Sequence, residues 1–291
     1  MKTPLSRRRF LALSTAAAAG ASFFEIPQIL RAANLVADDP YGGWPIGVQS
    51  YSLRKFNTIE AIRHMQGMGV HFTEFYSKHL PVDVSAEQLT ETKKLLASAD
   101  VTLNAHGVNG FSKNHEANRK VFAFAKRAGI KNITANPKPD SFDSLDKLVA
   151  EYDIRICIHN HGPGALFDKI SSVLDAVEGR DKRIGACVDT GHFIRSGEDP
   201  VEAVRKIKDR VFAVHLKDDT HKGDKGSHNV VIGQANLDVT GIFKALRDIK
   251  FPADGSISLE YESNPDNPID DMKQCLAVAR ESIAKAGKAG S

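Results

Sequence analysis

The chain has 291 residues, with 39 Lys+Arg against 36 Asp+Glu (formal charge +3), 42% apolar and 26% charged side chains. These are ordinary globular proportions, which exclude a disordered or fibrous polypeptide, and the length allows one large or two ordinary domains. Three cysteines are too few for a disulfide framework.

The charge is unevenly placed. Residues 1–33 carry Lys2, Arg7, Arg8, Arg9 and Arg31 against Glu25 alone, net +4, which leaves 34 basic and 35 acidic side chains, net −1, in the rest. Ser6-Arg7-Arg8-Arg9-Phe10-Leu11 precedes a weakly apolar, Ala-rich run to Phe24. A charged stretch followed by a short apolar one reads as an export signal, too short to span a bilayer. The arginine pair with Phe10 after it resembles the twin-arginine signals. That resemblance implies the twin-arginine export machinery as a partner, an exported, periplasmic location, and no stable membrane contact after signal removal. The near-neutral remainder has no basic excess for a phosphate backbone, so nucleic acid is not an expected partner.

After a loop from Asp38 to Pro45, β-rich apolar runs alternate with amphipathic ones. Strands are expected at Ile46–Tyr51, Val70–Tyr76, Val101–Val108, Asn132–Asn136, Arg155–His159, Ile184–Asp189, Val211–Leu216 and Ser256–Glu260. Helices are expected at Thr58–Met68, Ser85–Ala99, His115–Ala128, Phe142–Tyr152, Leu166–Val177, Pro200–Lys208, Val239–Ile249 and Ile269–Ala284. Asn57, Ser85, Ser141 and Asp199 stand at N-cap positions, and Gly69 and Gly129 at helix stops. Strands each followed by a helix imply an α/β fold with a parallel sheet. Over residues 44–285 a (β/α)8 TIM barrel is the economical closure. A doubly wound sheet fits less well, because Gln49-Ser50-Tyr51-Ser52-Leu53 after the first strand is no Gly-rich phosphate loop.

Chemistry in such a barrel sits at the C-terminal strand ends. The last four strands end Cys157-Ile158-His159-Asn160-His161-Gly162, Cys187-Val188-Asp189-Thr190-Gly191-His192, Ala213-Val214-His215-Leu216-Lys217-Asp218 and Ser258-Leu259-Glu260-Tyr261-Glu262. Period-two alternation that points His159, Asp189, His215 and Glu260 inward also points the small residues Cys157, Cys187, Ala213 and Ser258 inward. It turns Ile158, Val188, Val214 and Leu259 toward the helices. Two imidazoles and two carboxylates at one mouth suit a single divalent metal ion, Mn²⁺, Zn²⁺, Co²⁺ or Fe²⁺. His161, in the same register as His159, is the alternative strand-five ligand.

In this order the motifs resemble the xylose isomerase-like barrels: the sugar phosphate isomerase/epimerase group, ketose 3-epimerases, inosose dehydratases and endonuclease IV-type enzymes. The resemblance implies one divalent metal held by His159, Asp189, His215 and Glu260. It implies substrate contact by His192, and proton abstraction next to a carbonyl through an enediolate. Where family members often read Glu-Asn-His, this chain has His159-Asn160-His161. The family's two-glutamate epimerisation is therefore not carried over intact.

The expected activity is a sugar isomerase or epimerase with Glu260 as principal base and His161, His192 and Lys217 as acids or hydroxyl ligands. The alternatives are a lyase or dehydratase on a keto sugar or glycoside, and a non-catalytic sugar-binding barrel. Glu74 and His106 at strand ends two and three, and His221 in the loop after strand seven, are expected to touch a carbohydrate substrate. Cys157 and Cys187 are read as buried free thiols.

Overall fold

The computed structural model describes residues 39–287 and Gly290; the expected export segment lies outside them. Eight parallel strands close into a barrel: β1 (Ile46–Gln49), β2 (Phe72–Phe75), β3 (Thr102–Phe111), β4 (Asn132–Pro137), β5 (Arg155–His159), β6 (Ile184–Asp189), β7 (Val211–Leu216) and β10 (Ser256–Leu259). Each lies beside its predecessor, and β10 closes on β1 with Gly47 opposite Ser258. A short antiparallel pair, β8 (Asp218–Asp219) with β9 (Asn229–Val230), follows β7. The expected (β/α)8 TIM barrel is the fold observed.

The helices are α1 (Thr58–Gly67), α2 (Ala86–Ser98), α3 (His115–Ala128), α4 (Phe142–Tyr152), α5 (Ile170–Val177), α6 (Thr190–Arg195), α7 (Pro200–Ile207), α8 (Val239–Asp248) and α9 (Ile269–Ala286). Asn57 and Ser85 close reciprocal capping boxes with Glu60 and Gln88, and Asp199 caps α7. Gly129 stops α3 in the left-handed region at φ 81°. Ser141 occupies the cap position of α4 without capping it, since its hydroxyl donates to the Lys138 carbonyl.

Several expected boundaries move: β2 starts at Phe72 and β3 runs on to Phe111. β1 ends at Gln49, whose side-chain oxygen accepts from the Tyr51 amide and turns the chain into a 3-10 turn over Ser50–Leu53. α5 starts at Ile170, not Leu166, because the Asp168 carboxylate accepts from the Gly164 amide in a turn that leaves Leu166 exposed. Helix α6 and the β8–β9 pair were not anticipated; both are too short to show a period.

Alternation partitions the apolar residues as expected. Ile158, Val188, Val214 and Leu259 belong to the main core, while Cys157, Cys187, Phe212 and Ala213 form a separate cluster. Full burial of one such aliphatic side chain contributes about 1.5–3 kcal/mol. The three cysteines are free and buried.

Candidate metal centre and substrate cavity

His159 and Asp189 end β5 and β6, His215 is the penultimate residue of β7, and Glu260 follows β10. All four are buried, and one potential ligand atom from each lies within 4.8 Å of the others. His159 Nε2 is 3.0 Å from His215 Nδ1, 3.3 Å from Asp189 Oδ2 and 4.0 Å from Glu260 Oε2. His215 Nδ1 lies 3.8 Å from Asp189 Oδ2 and 3.1 Å from Glu260 Oε2. Ligands at the usual Zn–N and Zn–O lengths in a tetrahedron stand about 3.4 Å apart, inside this spread.

Neighbours aim the ligands. The Asn160 carboxamide exchanges two hydrogen bonds with the Asp189 backbone, 2.8 and 2.9 Å, and so fixes the end of β6 against β5. Asp189 Oδ1 caps α6 by accepting from the His192 amide at 2.7 Å, and Oδ2, turned to the cluster, has no hydrogen bond. The Lys217 ammonium is nevertheless an ion-pair neighbour of that oxygen at 3.1 Å. On the far edge of the His215 ring, Nε2 is 2.9 Å from Glu74 Oε2. Glu74 also accepts from Thr134 and from the Ser258 hydroxyl. A carboxylate on the second nitrogen fixes the tautomer of a metal-ligating histidine and raises its basicity.

Lys217 is buried, with its ammonium 3.1 Å from Asp189, 2.7 Å from Glu260 and 2.6 Å from Glu262. Gly191 makes room for it: a Cβ there would stand 2.6 Å from Lys217 Cγ and 2.4 Å from Asp219 Oδ2. Asp189, Glu260 and Glu262 bring three carboxylates to one lysine, so a cation fits the local charge as well as the donor set.

Burial opposes ionisation of Glu260, but Lys217 and then His215 hold its carboxyl far below the usual range. Burial likewise opposes charge on His215, yet Cys187, Glu74 and Glu260 push its pKa well above the ordinary value. His161 and His192 go the other way. Burial, then the neighbouring His159, lowers His161 to about 4; burial lowers His192 to about 3 against the pull of Asp189. Both imidazoles are neutral at pH 7. Their rings stack at 5.4 Å, and His161 lies 4.6 Å from the His159 ring.

A cavity of about 360 Å³ opens over this centre, with His159, His161, His192, Glu260 and Glu262 on its lining. Lys217 sits behind it, among the carboxylates. Three expected substrate contacts take other places. Glu74 is fully buried behind His215 rather than in the cavity. His106 is buried with Nε2 on the Leu80 carbonyl and its ring edge-to-face on Phe124 of α3, 4.9 Å away, so it belongs to the helix-facing layer. His221 lies in the exposed loop after β8, bonded to the Thr220 hydroxyl, and does not line the cavity. Sequence reasoning missed Gln49, Tyr51, Tyr76, Ser77, Gly107 and Val108 on the lining; the only signal was position, at or just after the ends of β1 and β2 for the first four, while Gly107 and Val108 lie within β3.

Residues 62–282 match the xylose isomerase-like TIM barrel family, and the chain belongs to that family. An inosose dehydratase of Clostridium botulinum is 31% identical over 149 residues, 44% of this chain and 48% of that protein. The chain thus spans about half the length of the curated relatives it matches. Among solved structures, the IolI protein with a bound zinc atom superposes with TM-score 0.69 at 16% identity, over 84% of this chain and 99% of that one. The 3-keto-D-glucoside 4-epimerase of E. coli gives TM-score 0.66 at 16% identity, over 82% and 99%. At these identities the two structures speak for the fold alone.

Proposed function

We propose that the protein is a metal-dependent sugar isomerase or epimerase that removes a proton next to a carbonyl. The observation that carries this reading is the buried His159–Asp189–His215–Glu260 cluster opening directly into a cavity lined by two neutral imidazoles. A divalent metal on those four residues would polarise a carbonyl oxygen and acidify the adjacent C–H. Glu260, held ionised by Lys217 and His215, faces the cavity as a base. His161 and His192, neutral near pH 7, take up or return a proton at the neighbouring oxygen or carbon. Glu260 follows β10, while both imidazoles stand just after the ends of β5 and β6. With His159 where a second glutamate would stand, the proton is moved between one carboxylate and neutral imidazoles, and not by a two-glutamate inversion.

The test is exposure of metal-loaded protein to a ketose and aldose panel in D2O. Deuterium should appear at the carbon next to the carbonyl with no group released. Chelation should stop it, and Glu260→Gln should abolish turnover in a folded protein. Full activity after metal removal would refute the reading.

Elimination is the second reading. It is favoured by the imidazole of His159 in the strand-five position and by similarity to an inosose dehydratase. Release of water or an aglycone with the same exchange would select it. Export is likewise proposed, from residues 1–33: Arg7→Lys with Arg8→Lys should retain the protein in the cytoplasm.

A further inference from the structure

The cavity has a second wall that this chemistry leaves idle. Tyr51, Tyr76 and Val108 line it from the β1–β3 arc, across the barrel from β5 and β6 in the strand order. Tyr51 is 38% and Val108 39% exposed, unusual for large apolar side chains in this molecule. Tyr51 is nonetheless held in place. The Arg54 guanidinium lies 4.7 Å from its ring centroid and Tyr76 meets it edge-to-face, centroids 5.4 Å apart. Arg54 is itself fixed by donating to the Tyr51 carbonyl at 3.2 Å and the Glu262 carbonyl at 2.6 Å. Beside this ring the Tyr76 hydroxyl is buried with no hydrogen-bond partner. A buried polar atom left unpaired requires an explanation, and a donor reserved for a ligand supplies one.

The two arcs therefore ask for different chemistry. One offers metal ligands and imidazoles to a carbonyl and hydroxyls; the other offers a braced aromatic face, valine methyls and the hydroxyls of Tyr51, Tyr76 and Ser77. We propose that the Tyr51–Tyr76–Val108 wall is a subsite for a second ring carried by the substrate. The substrate class is then a glycoside, a keto sugar whose anomeric carbon still bears an aglycone or another sugar, and not a free monosaccharide. The inference rests on the reading that the metal centre handles the sugar. Tyr51 supplies a stacking face for the second ring, and Tyr76 donates to an oxygen at or near the glycosidic link.

Calorimetry on the manganese-loaded protein with methyl and phenyl β-D-glucopyranoside tests it. The phenyl glycoside should bind about tenfold more tightly, the increment expected from one aromatic contact. Tyr51→Ala should bring the two affinities within about twofold of each other at unchanged metal content, while Tyr51→Phe, which keeps the ring, should preserve the difference. Equal affinities in the wild type, or a difference that survives Tyr51→Ala, would overturn the subsite while leaving the sugar reading standing. Failure of both glycosides and of every free sugar to bind the metal-loaded protein would overturn that reading, and the subsite with it.

Discussion

The arc of the mouth built by β5, β6, β7 and β10 and the arc built by β1, β2 and β3 carry similar residue types in the sequence, yet they work differently. On the first, His159, Asp189, His215 and Glu260 converge with their free atoms toward one point. On the second, Glu74 and His106 are equally buried, but Glu74 serves His215 from behind and His106 serves the helix layer. The surface this arc gives the cavity sets Tyr51, Tyr76 and Val108 beside the uncharged Gln49 and Ser77. Polar character at a strand end therefore does not by itself make a site; the direction of the side chain and what already satisfies it decide. An atom that no hydrogen bond ties up, such as Asp189 Oδ2, can turn to a cation. One already matched, such as His106 Nε2, cannot.

The sharpest way to break this contrast is to remove a converging ligand. If roughly 10–16 kcal/mol of structural zinc binding is shared by four ligands, Asp189→Ala should weaken metal affinity by about 10²–10³-fold. It should also fray the start of α6, whose cap is lost. Metal titration with a competing chelator measures the first effect. Undiminished affinity would mean that Asp189 is no ligand. Next in size, Glu74→Gln leaves the shape but removes the charge behind His215, and should cost about 10–100-fold in metal affinity. His106→Asn, on the same arc, should change metal affinity by less than about threefold because it shares no partner with the cluster. It should destabilise the protein by about 1–3 kcal/mol through the unpaired Leu80 carbonyl. Equal effects of the two variants on metal binding would erase the distinction between them.

How much of this was legible follows from the ladders. Alternation on β5, on β7 from Ala213 onward and on β10 carried His159, His215 and Glu260 inward as read. The partition of Cys157 from Ile158 and of Ala213 from Val214 was readable with it, although the pairing of β6 with β7 skips Phe212, which joins the Ala213 cluster. On β3 the same rule failed for a physical reason. Thr73 pairs with Leu103 but Glu74 pairs with Ala105, so Asn104 is skipped and the parity flips. His106 then faces Phe75, a residue of the main core, instead of the barrel interior. No local residue pattern announces that slip. Glu74 had the right parity, and what the sequence could not convey was that His215, from five strands further along the chain, would take its carboxylate. The Tyr51–Tyr76 wall escaped notice because aromatic residues at strand ends read as ordinary core until their exposure is known.

Two buried carboxylates off the metal cluster, one on each arc, give the smallest and most discriminating test. Burial opposes ionisation of Glu74, but His215 and Thr134 keep its pKa below the ordinary value. Asp219, behind Gly191 on the busy arc, is buried with Oδ2 unpartnered. Burial and then the repulsion of Asp189 raise its pKa to about 7. Between the unfolded carboxyl value of about 3.9 and 7, the folded state keeps a proton that the unfolded chain has released. Asp219 therefore contributes stability at low pH that is lost as pH rises toward 7, a few kcal/mol at most. Asp219→Asn mimics the protonated acid in shape and cannot ionise. In chelator-treated protein the variant should melt within a few degrees of wild type at pH 4 and above it at pH 8, with the gap opening between those values and levelling off beyond 7. Glu74→Gln should melt below wild type at neutral pH by a constant gap that closes only as pH falls below about 4.3, because the wild-type carboxylate is the favoured form in the fold. Parallel melting profiles for wild type and Asp219→Asn across that range would show that Asp219 finds a partner for its charge, and would remove it from the uncompensated groups on the metal-bearing arc.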